Sequence, residues 1–204
     1  MAAVSSTVDR RGAQNQTMST KPAHILIFSG KRKSGKDYIT DKLYERIGSD
    51  ESVIIKLSGP IKTHWAKTSN LDIDQLLGDG AYKEKYRLEM VKWGEETRKK
   101  DYGYFCRAAI EMYNAEDKPI WIVSDARRKT DIQWFLDNFG EICKTVRISS
   151  SETVRRKRGW NFTQGIDDME TECDLDGVNN WNLHLRNETE NVEDILDKIL
   201  ELIN

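Results

Sequence analysis

The sequence predicts a three-layer α/β fold, in which a central parallel sheet lies between two layers of helices. Two observations support this prediction. Apolar runs typical of buried strands alternate with amphipathic helix patterns, and the first run, at 25–28, leads through a glycine-bounded loop into a helix. With 204 residues, of which 38% are hydrophobic, the chain is long enough for one compact domain. We expect right-handed crossovers and the first strand at the centre of the sheet.

The loop after the first strand has the spacing of a nucleotide-binding loop. Its backbone N–H groups would curl around two phosphates, and we expect Lys36 to reach the outer ones. Asp37 stands where Ser or Thr is usual, and because a carboxylate is a hard oxygen ligand we expect it to bind Mg²⁺ directly or through water. The alternative is a simple turn between strand and helix, which this context disfavours. The predicted nucleotide-binding residues are Gly30, Lys31, Arg32, Lys33, Ser34, Gly35, Lys36 and Asp37.

The first helix, the second strand and a long insertion follow the loop. Apolar residues recur every four positions over 37–47, which predicts a helix, and 52–57 predicts a strand. Residues 60–113 form a mostly helical insertion with a long helix at 82–99, where Lys83, Arg87 and Arg98 lie near one stripe. Glutamates are interleaved with these cations, so a solvated basic edge is the competing and, by itself, the simpler interpretation.

The third predicted strand ends in a second group of polar residues. Residues 120–123 are continuously apolar and are followed by Asp125, Arg127 and Arg128. Because ligands gather at the carboxyl ends of parallel strands, Asp125 would lie beside the loop and hold a water of the Mg²⁺ shell. Two arginines at the start of a helix oppose the helix dipole, which favours an anionic partner over an ordinary charged helix start.

The rest of the chain predicts a lid and the completion of the sheet. A helix at 131–139 and a strand at 144–148 precede a basic helix from 151, in which Arg155 and Arg158 share a face. We expect 151–168 to form a mobile lid that brings these arginines over the phosphates; the alternative is a solvated basic helix. The acids of the predicted ordered loop 167–182 are given no role. A strand at 183–185 and an amphipathic helix to 203 complete the fold.

Composition and charge exclude several classes of protein. The net charge is −2, and the cations are scattered among acids, so nucleic-acid binding is not expected. Three widely spaced cysteines predict neither a disulfide framework nor a zinc site. Residues 1–22 predict a disordered arm without a secretory signal, and no later run reaches membrane-spanning length. We therefore expect a cytosolic monomer that makes no membrane contact.

The cations at the loop, the insertion, the third strand and the lid exceed what one triphosphate needs, which predicts a second, small anionic ligand. Seven short motifs, taken in order, resemble those of animal-type phosphomevalonate kinases, and the resemblance covers residues 23–187. Asp174 departs from the family pattern, which prefers Gly, and so does the N-terminal arm. The motifs are FSGKRKSGKD at 28–37, LSGP at 57–60, YKE at 82–84, WGEE at 93–96, VSD at 123–125, DIQW at 131–134 and RGW at 158–160.

The resemblance implies a nucleoside-monophosphate-kinase-like P-loop fold and MgATP-dependent conversion of (R)-5-phosphomevalonate to 5-diphosphomevalonate, a step of isoprenoid and sterol synthesis. It implies that Lys36 and Arg32 lie near the transferring group and that Arg127 supports turnover. It places Arg155 and Arg158 on the nucleotide side, and Asp37 becomes the family's own form of the loop. The implied acceptor-binding residues are Lys62, Lys83, Arg87, Arg98, Arg128 and Asn187.

Two other functions stay open. A different small-molecule or nucleotide kinase of the same fold would share the loop and accept another anion. A non-catalytic nucleotide-binding regulator would keep the loop and lack turnover.

Overall fold

The computed structural model describes residues 22–77, 81–188 and 191–203, so the predicted arm, apart from Pro22, lies outside the described residues. Within them the strands are β1 (His24–Ser29), β2 (Ser52–Ile55), β3 (Ile120–Val123), β4 (Cys143–Ser149) and β5 (Leu183–Arg186). The helices are α1 (Lys36–Ile47), α2 (Ser58–Ser69), α3 (Ile73–Leu77), α4 (Ala81–Lys100), α5 (Tyr104–Met112), α6 (Lys129–Phe139), α7 (Glu152–Lys157), α8 (Glu170–Cys173) and α9 (Val192–Leu200).

The strands form one parallel sheet in the order β2-β3-β1-β4-β5. The prediction that the first strand is central is therefore confirmed. In the register of the sheet, Ile27 of β1 lies beside Val123 of β3, and Ser29 lies beside Arg147 of β4. The carboxyl ends of these three strands consequently meet at one edge, where their following loops come together.

Strand β1 is buried on both faces, which explains its uninterrupted apolar sequence. Ile25 and Ile27 pack in one cluster with residues of α5 and α6, whereas Leu26 and Phe28 pack in another with residues of α1 and α9. All four side chains are fully buried, and each contributes about 1.5–3 kcal/mol of burial free energy. Helices therefore cover both faces of the sheet, as the three-layer prediction requires, and the end of β1 is held firmly in place.

The insertion builds a small core of its own beside the sheet. Ala66, Leu76 and Met90 are buried between α2, α3 and α4. The predicted helix at 82–99 is confirmed as part of α4, which continues through Gly94 without a break. This core fixes the face of α4 that carries the predicted acceptor-binding cations.

Two of the predicted elements, a strand and a helix, were too long. Strand β2 ends at Ile55, two residues early, because the N–H groups of Leu57 and Ser58 turn toward the Asp125 carboxylate and α2 begins at Ser58. Helix α9 ends at Leu200, and the chain then makes tighter turns through Ile203. In the described residues, no helix combines the length and apolarity needed to cross a bilayer.

Candidate functional site

The loop between β1 and α1 has a backbone that only glycine permits at two positions. A Cβ at Gly30 would lie 2.6 Å from the carbonyl oxygen of Ile148. Gly35 has a φ of +88°, and a Cβ there would lie 2.2 Å from Nδ2 of Asn187. The Ser34 hydroxyl is buried and has no hydrogen bond among the described residues. The loop is therefore a tight cradle with an unsatisfied polar group, which fits a bound phosphate chain.

The outer side of this loop is held by its carbonyl oxygens. Arg155 Nε donates to the carbonyl of Arg32 at 2.8 Å, and Arg158 Nη1 and Asn187 Nδ2 each donate to the carbonyl of Ser34 at 2.9 Å. Because a trans peptide points its N–H opposite to its C=O, the N–H groups of the same two peptide units point to the inner side of the loop. These contacts therefore orient donors toward the place predicted for phosphates.

The structure places both lid arginines, Arg155 and Arg158, against the loop. Arg155 is 6% exposed and stacks on the Trp160 ring, with its guanidinium carbon 3.8 Å from the ring centroid. Arg158 also contacts Ser150 and Asn187. Both arginines support the loop from behind, and their direct contact with a nucleotide stays a prediction. Asn187 also contacts the loop, and its predicted binding of the acceptor stays a prediction.

The predicted metal-side residues lie at the start of α1 and the end of β3. Lys36 donates to the carbonyl of Ser124 and to the Asp37 carboxylate, whose side chain is 75% exposed. Loss of hydration acts to raise the pKa of Asp37, but Lys36, together with Lys56 and Arg127, lowers it below its usual value. Asp37 is therefore ionised at neutral pH and available to a cation.

The second predicted metal-side residue has a structural partner that the sequence analysis missed. The Asp125 carboxylate accepts hydrogen bonds from the N–H groups of Leu57 and Ser58, so it caps the N-terminus of α2. Within the described residues, no group of three or more His, Cys, Asp or Glu side chains forms a ready-made metal site. The role of Asp125 toward a magnesium-bound water stays a prediction.

Cations from distant parts of the chain converge beside the loop. Burial lowers the pKa of Lys62 to about 8, and the positive charges of Lys83, Lys56 and Arg127 add to this effect, against Asp125. Arg127 is in turn within electrostatic reach of Arg87 and Arg32. The residues of α2, α4, β3 and the loop therefore share one field of positive charge. An anion bound there would restore the ordinary pKa of Lys62.

Arg128 is held in the cleft by an acid of α4. Its guanidinium is buried, with Nε and Nη2 at 3.1 and 2.6 Å from one carboxylate oxygen of Glu95. Arg98 Nη1 lies 3.6 Å from the same oxygen, and its guanidinium stacks on the Phe105 ring. Nη1 of Arg128 has no hydrogen bond among the described residues. A buried guanidinium N–H without a partner costs free energy, which an anionic ligand would recover.

Asp131 positions both arginines at the end of β3, and the sequence analysis missed it. Its buried carboxylate accepts from the backbone N–H groups of Arg127 and Arg128 and lies 3.4 Å from Nε of Arg98. Burial raises the pKa of Asp131, although Arg98 and the two N–H groups act against the increase. An acid at the first position of the helix predicted over 131–139 was the available signal, and in the structure it is the third residue of α6.

Several of the predicted binding cations are paired with acids in the structure. Arg87 makes two hydrogen bonds, of 2.6 and 2.5 Å, to Glu84 of the same helix. Other partners come from residues 167–176, which we call the acidic segment. It brings Asp167 to Arg32 at 3.2 Å and Glu172 to Arg127. The cleft is thus positively charged but locally neutralised.

Comparisons of the sequence with known proteins give one family. The family model described as phosphomevalonate kinase matches residues 28–141. A curated phosphomevalonate kinase from Drosophila melanogaster is 48% identical over 180 residues, which cover 87% of this chain and 95% of that protein.

Solved structures support the fold alone. TT1252 from Thermus thermophilus is 16% identical with a TM-score of 0.51, covering 90% of this chain and 97% of that one. APE1195 is 14% identical with a TM-score of 0.51, covering 90% of this chain and 96% of that one.

Because the family model spans more than half of the chain and the Drosophila protein matches nearly all of it, the chain belongs to the phosphomevalonate kinase family.

Proposed function

We propose that the protein transfers the γ-phosphoryl group of MgATP to (R)-5-phosphomevalonate, giving 5-diphosphomevalonate and ADP. Family membership supports the reaction, and one structural observation carries it. A glycine cradle for phosphates lies beside a second group of cations, in which the buried Nη1 of Arg128 makes no hydrogen bond among the described residues. A nucleotide alone would need the first group; a phosphorylated acceptor accounts for the second.

The nucleotide belongs in the loop. Gly30 and Gly35 leave no room for side chains, and Ser34 offers a buried hydroxyl, so the residues present fit a phosphate chain. MgATP supplies the phosphoryl group and, through its metal, offsets part of the negative charge. Asp37 and Asp125 are the carboxylates that would hold the metal, directly or through its water. Lys31, Arg32, Lys33 and Lys36 are the cations of the loop.

The acceptor belongs among the cations of α2, α4 and β3. Arg128 is buried and the Arg98 side chain is only 13% exposed. Both are held in place, by Glu95, Asp131 and the Phe105 ring, and we expect them to bind their ligand in a fixed geometry. The remaining acceptor-side cations are Lys62, Lys83 and Arg87.

Arg127 stands between the two groups and is assigned to the transferring phosphoryl. The bond between the γ-phosphorus and the bridging oxygen of ADP breaks as a bond to an acceptor phosphate oxygen forms. Because that oxygen is already ionised, no general base is required. The residues thus act by screening the repulsion between two anions and by stabilising charge on the equatorial oxygens.

We further propose one kinase domain over 23–204, with an acceptor-binding insertion at 60–113 and a lid at 151–168. The protein is assigned to the cytosol as a monomer that acts on small phosphorylated molecules and binds neither nucleic acid nor membrane.

The deciding experiment is ADP release by the purified protein with MgATP, with and without (R)-5-phosphomevalonate, with ³¹P NMR identification of the diphosphate. We expect release that depends on this acceptor and is lost in Lys36→Met. A panel of phosphorylated acids and nucleoside monophosphates tests for another kinase of the same fold. Nucleotide binding without turnover on any acceptor would favour a regulator and overturn the proposal.

A further inference from the structure

Successive carboxylates of the acidic segment form ion pairs with cations of the cleft. Asp167 contacts Arg32, Glu172 contacts Arg127, and Glu170 lies 3.8 Å from Nη1 of Arg128. Two further pairs continue the series: Asp174 with Lys129 at 3.5 Å and Asp176 with Lys31 at 2.6 Å. A ten-residue stretch therefore supplies counter-charges to both the nucleotide side and the acceptor side.

The members of the segment differ in how firmly they are built in. Asp167 also accepts from the Trp160 indole at 3.0 Å and from the N–H of Thr163 at 2.8 Å, so it organises the lid itself. Glu170 and Glu172 lie on α8, and their contacts given above are with guanidinium groups. Glu170 is 75% exposed and faces the unpartnered nitrogen of Arg128; Glu172 is 5% exposed. These two acids can be exchanged for another anion without dismantling a turn.

We propose that Glu170 and Glu172 set how tightly anions bind at the acceptor site, because they are internal anions that a ligand must displace from Arg127 and Arg128. This inference rests on the proposed function, since it takes Arg128 as acceptor-binding and Arg127 as the neighbouring residue of the transferring phosphoryl group. The competition lowers the affinity of every anion by a similar factor. Free phosphate, which makes few contacts, then binds too weakly to fill the site. An acceptor with two anionic groups contacts more cations and retains useful affinity.

The test measures binding of inorganic phosphate by isothermal titration calorimetry, without nucleotide and without turnover. In the double variant Glu170→Gln and Glu172→Gln we expect phosphate to bind about 5–20-fold more tightly than in the unmodified protein, because two part-buried ion pairs no longer compete. Glu170→Gln alone, at an exposed position that does not endanger folding, should give about 2–3-fold.

A matched control removes the same charge elsewhere. Glu45 pairs with Lys42 at 2.6 Å on α1, and Glu193 pairs with Arg46 at 3.2 Å between α9 and α1. Glu45→Gln with Glu193→Gln should leave phosphate affinity within about 2-fold of the unmodified protein, as expected for exposed pairs. Adding Arg128→Met to the first double variant should remove the gain, which locates the phosphate at the acceptor site.

The inference is overturned if the Glu170/Glu172 variant binds phosphate no more tightly, if the control gains as much, or if the gain survives Arg128→Met. Each outcome is independent of catalysis. A protein that shows the expected gain but no phosphomevalonate-dependent ADP release would refute the proposed function and leave the acidic competition standing.

Discussion

The nucleotide loop and the acceptor-side cations bind negative charge in different ways. The loop uses backbone N–H groups, oriented by two glycines and by contacts to its carbonyl oxygens from Arg155, Arg158 and Asn187. The acceptor side uses guanidinium groups that are already paired with carboxylates. The loop is therefore rigid and accepts only a ligand of matching shape. On the acceptor side, binding exchanges one anion for another. The following variants test this difference, beginning with the largest expected effect.

Gly35→Ala tests the rigidity of the loop. A Cβ at this position would lie 2.2 Å from Nδ2 of Asn187, and the φ of +88° strains any other residue. We expect ATP affinity to fall more than about 100-fold, since displacing a positioned group by about 1 Å has effects of this size.

Gly48→Ala is the matched control, because Gly48 also has a positive φ, of +97°, but its Cβ would have no neighbour within 4 Å. It should cost about 1–3 kcal/mol of stability, seen as a lower Tm, with an unchanged KM for ATP. Equal effects of the two variants on KM for ATP would show that loop shape is not what matters.

Arg127→Ala tests the residue between the two regions. We expect kcat to fall on the order of 10²-fold or more, because loss of a transition-state cation in phosphoryl transfer has this effect. Steady-state kinetics with both substrates saturating gives the value. Arg107→Ala, which removes an exposed arginine paired with Asp101, is the control. Unchanged turnover in Arg127→Ala would remove this residue from the site.

Arg98→Ala tests the acceptor side alone. Because Arg98 is held in one orientation by Phe105 and Asp131, its contact should be the same in the ground and transition states. We expect KM for phosphomevalonate to rise about 10-fold, with kcat changed by less than about 3-fold. A change confined to KM for ATP would contradict the assignment of Arg98 to the acceptor.

The pKa of Lys62 gives the smallest and most specific effect. Because burial lowers it from 10.5 to about 8, Lys62 is mainly charged at pH 7 and mainly neutral at pH 9. An acceptor anion raises the pKa again, so binding at pH 8–9 should take up a proton, and KM for the acceptor should rise as pH increases through 8.

Calorimetry in two buffers of different ionisation enthalpy measures this proton uptake. Lys62→Met should abolish both the uptake and the pH dependence of KM. Proton uptake that persists in Lys62→Met would assign it to another group.

The sequence predicted the loop side well because its signals are local. The spacing of Gly30, Gly35 and Lys36 after an apolar strand is enough to predict a phosphate cradle. Apolar strands that alternate along the chain with amphipathic helices are enough to predict a parallel sheet with β1 at its centre. Helix α4 was recognised for the same reason. What these patterns could not predict is which side chains occupy the outer surface of the loop.

The acceptor side was predicted as a set of cations but not as a set of ion pairs. Glu95 contacts Arg128 across 33 positions of sequence, and Glu172 contacts Arg127 across 45. Such pairs depend on how the insertion and the lid fold over the sheet edge, which periodicity does not report. The acids at alternate positions of 170–176 were a visible signal, since such regular placement opposite arginines is unusual in a plain loop.

The contacts of Arg155 and Arg158 with main-chain oxygens of the loop link two events, the opening of the proposed lid and the release of ADP. An outward movement of the proposed lid would break these hydrogen bonds and release the peptide units of Arg32 and Ser34, whose N–H groups are proposed to bind phosphate. We therefore expect lid opening and loss of affinity for ADP to occur together, and we expect substitutions at the base of the lid to change the dissociation rate of ADP.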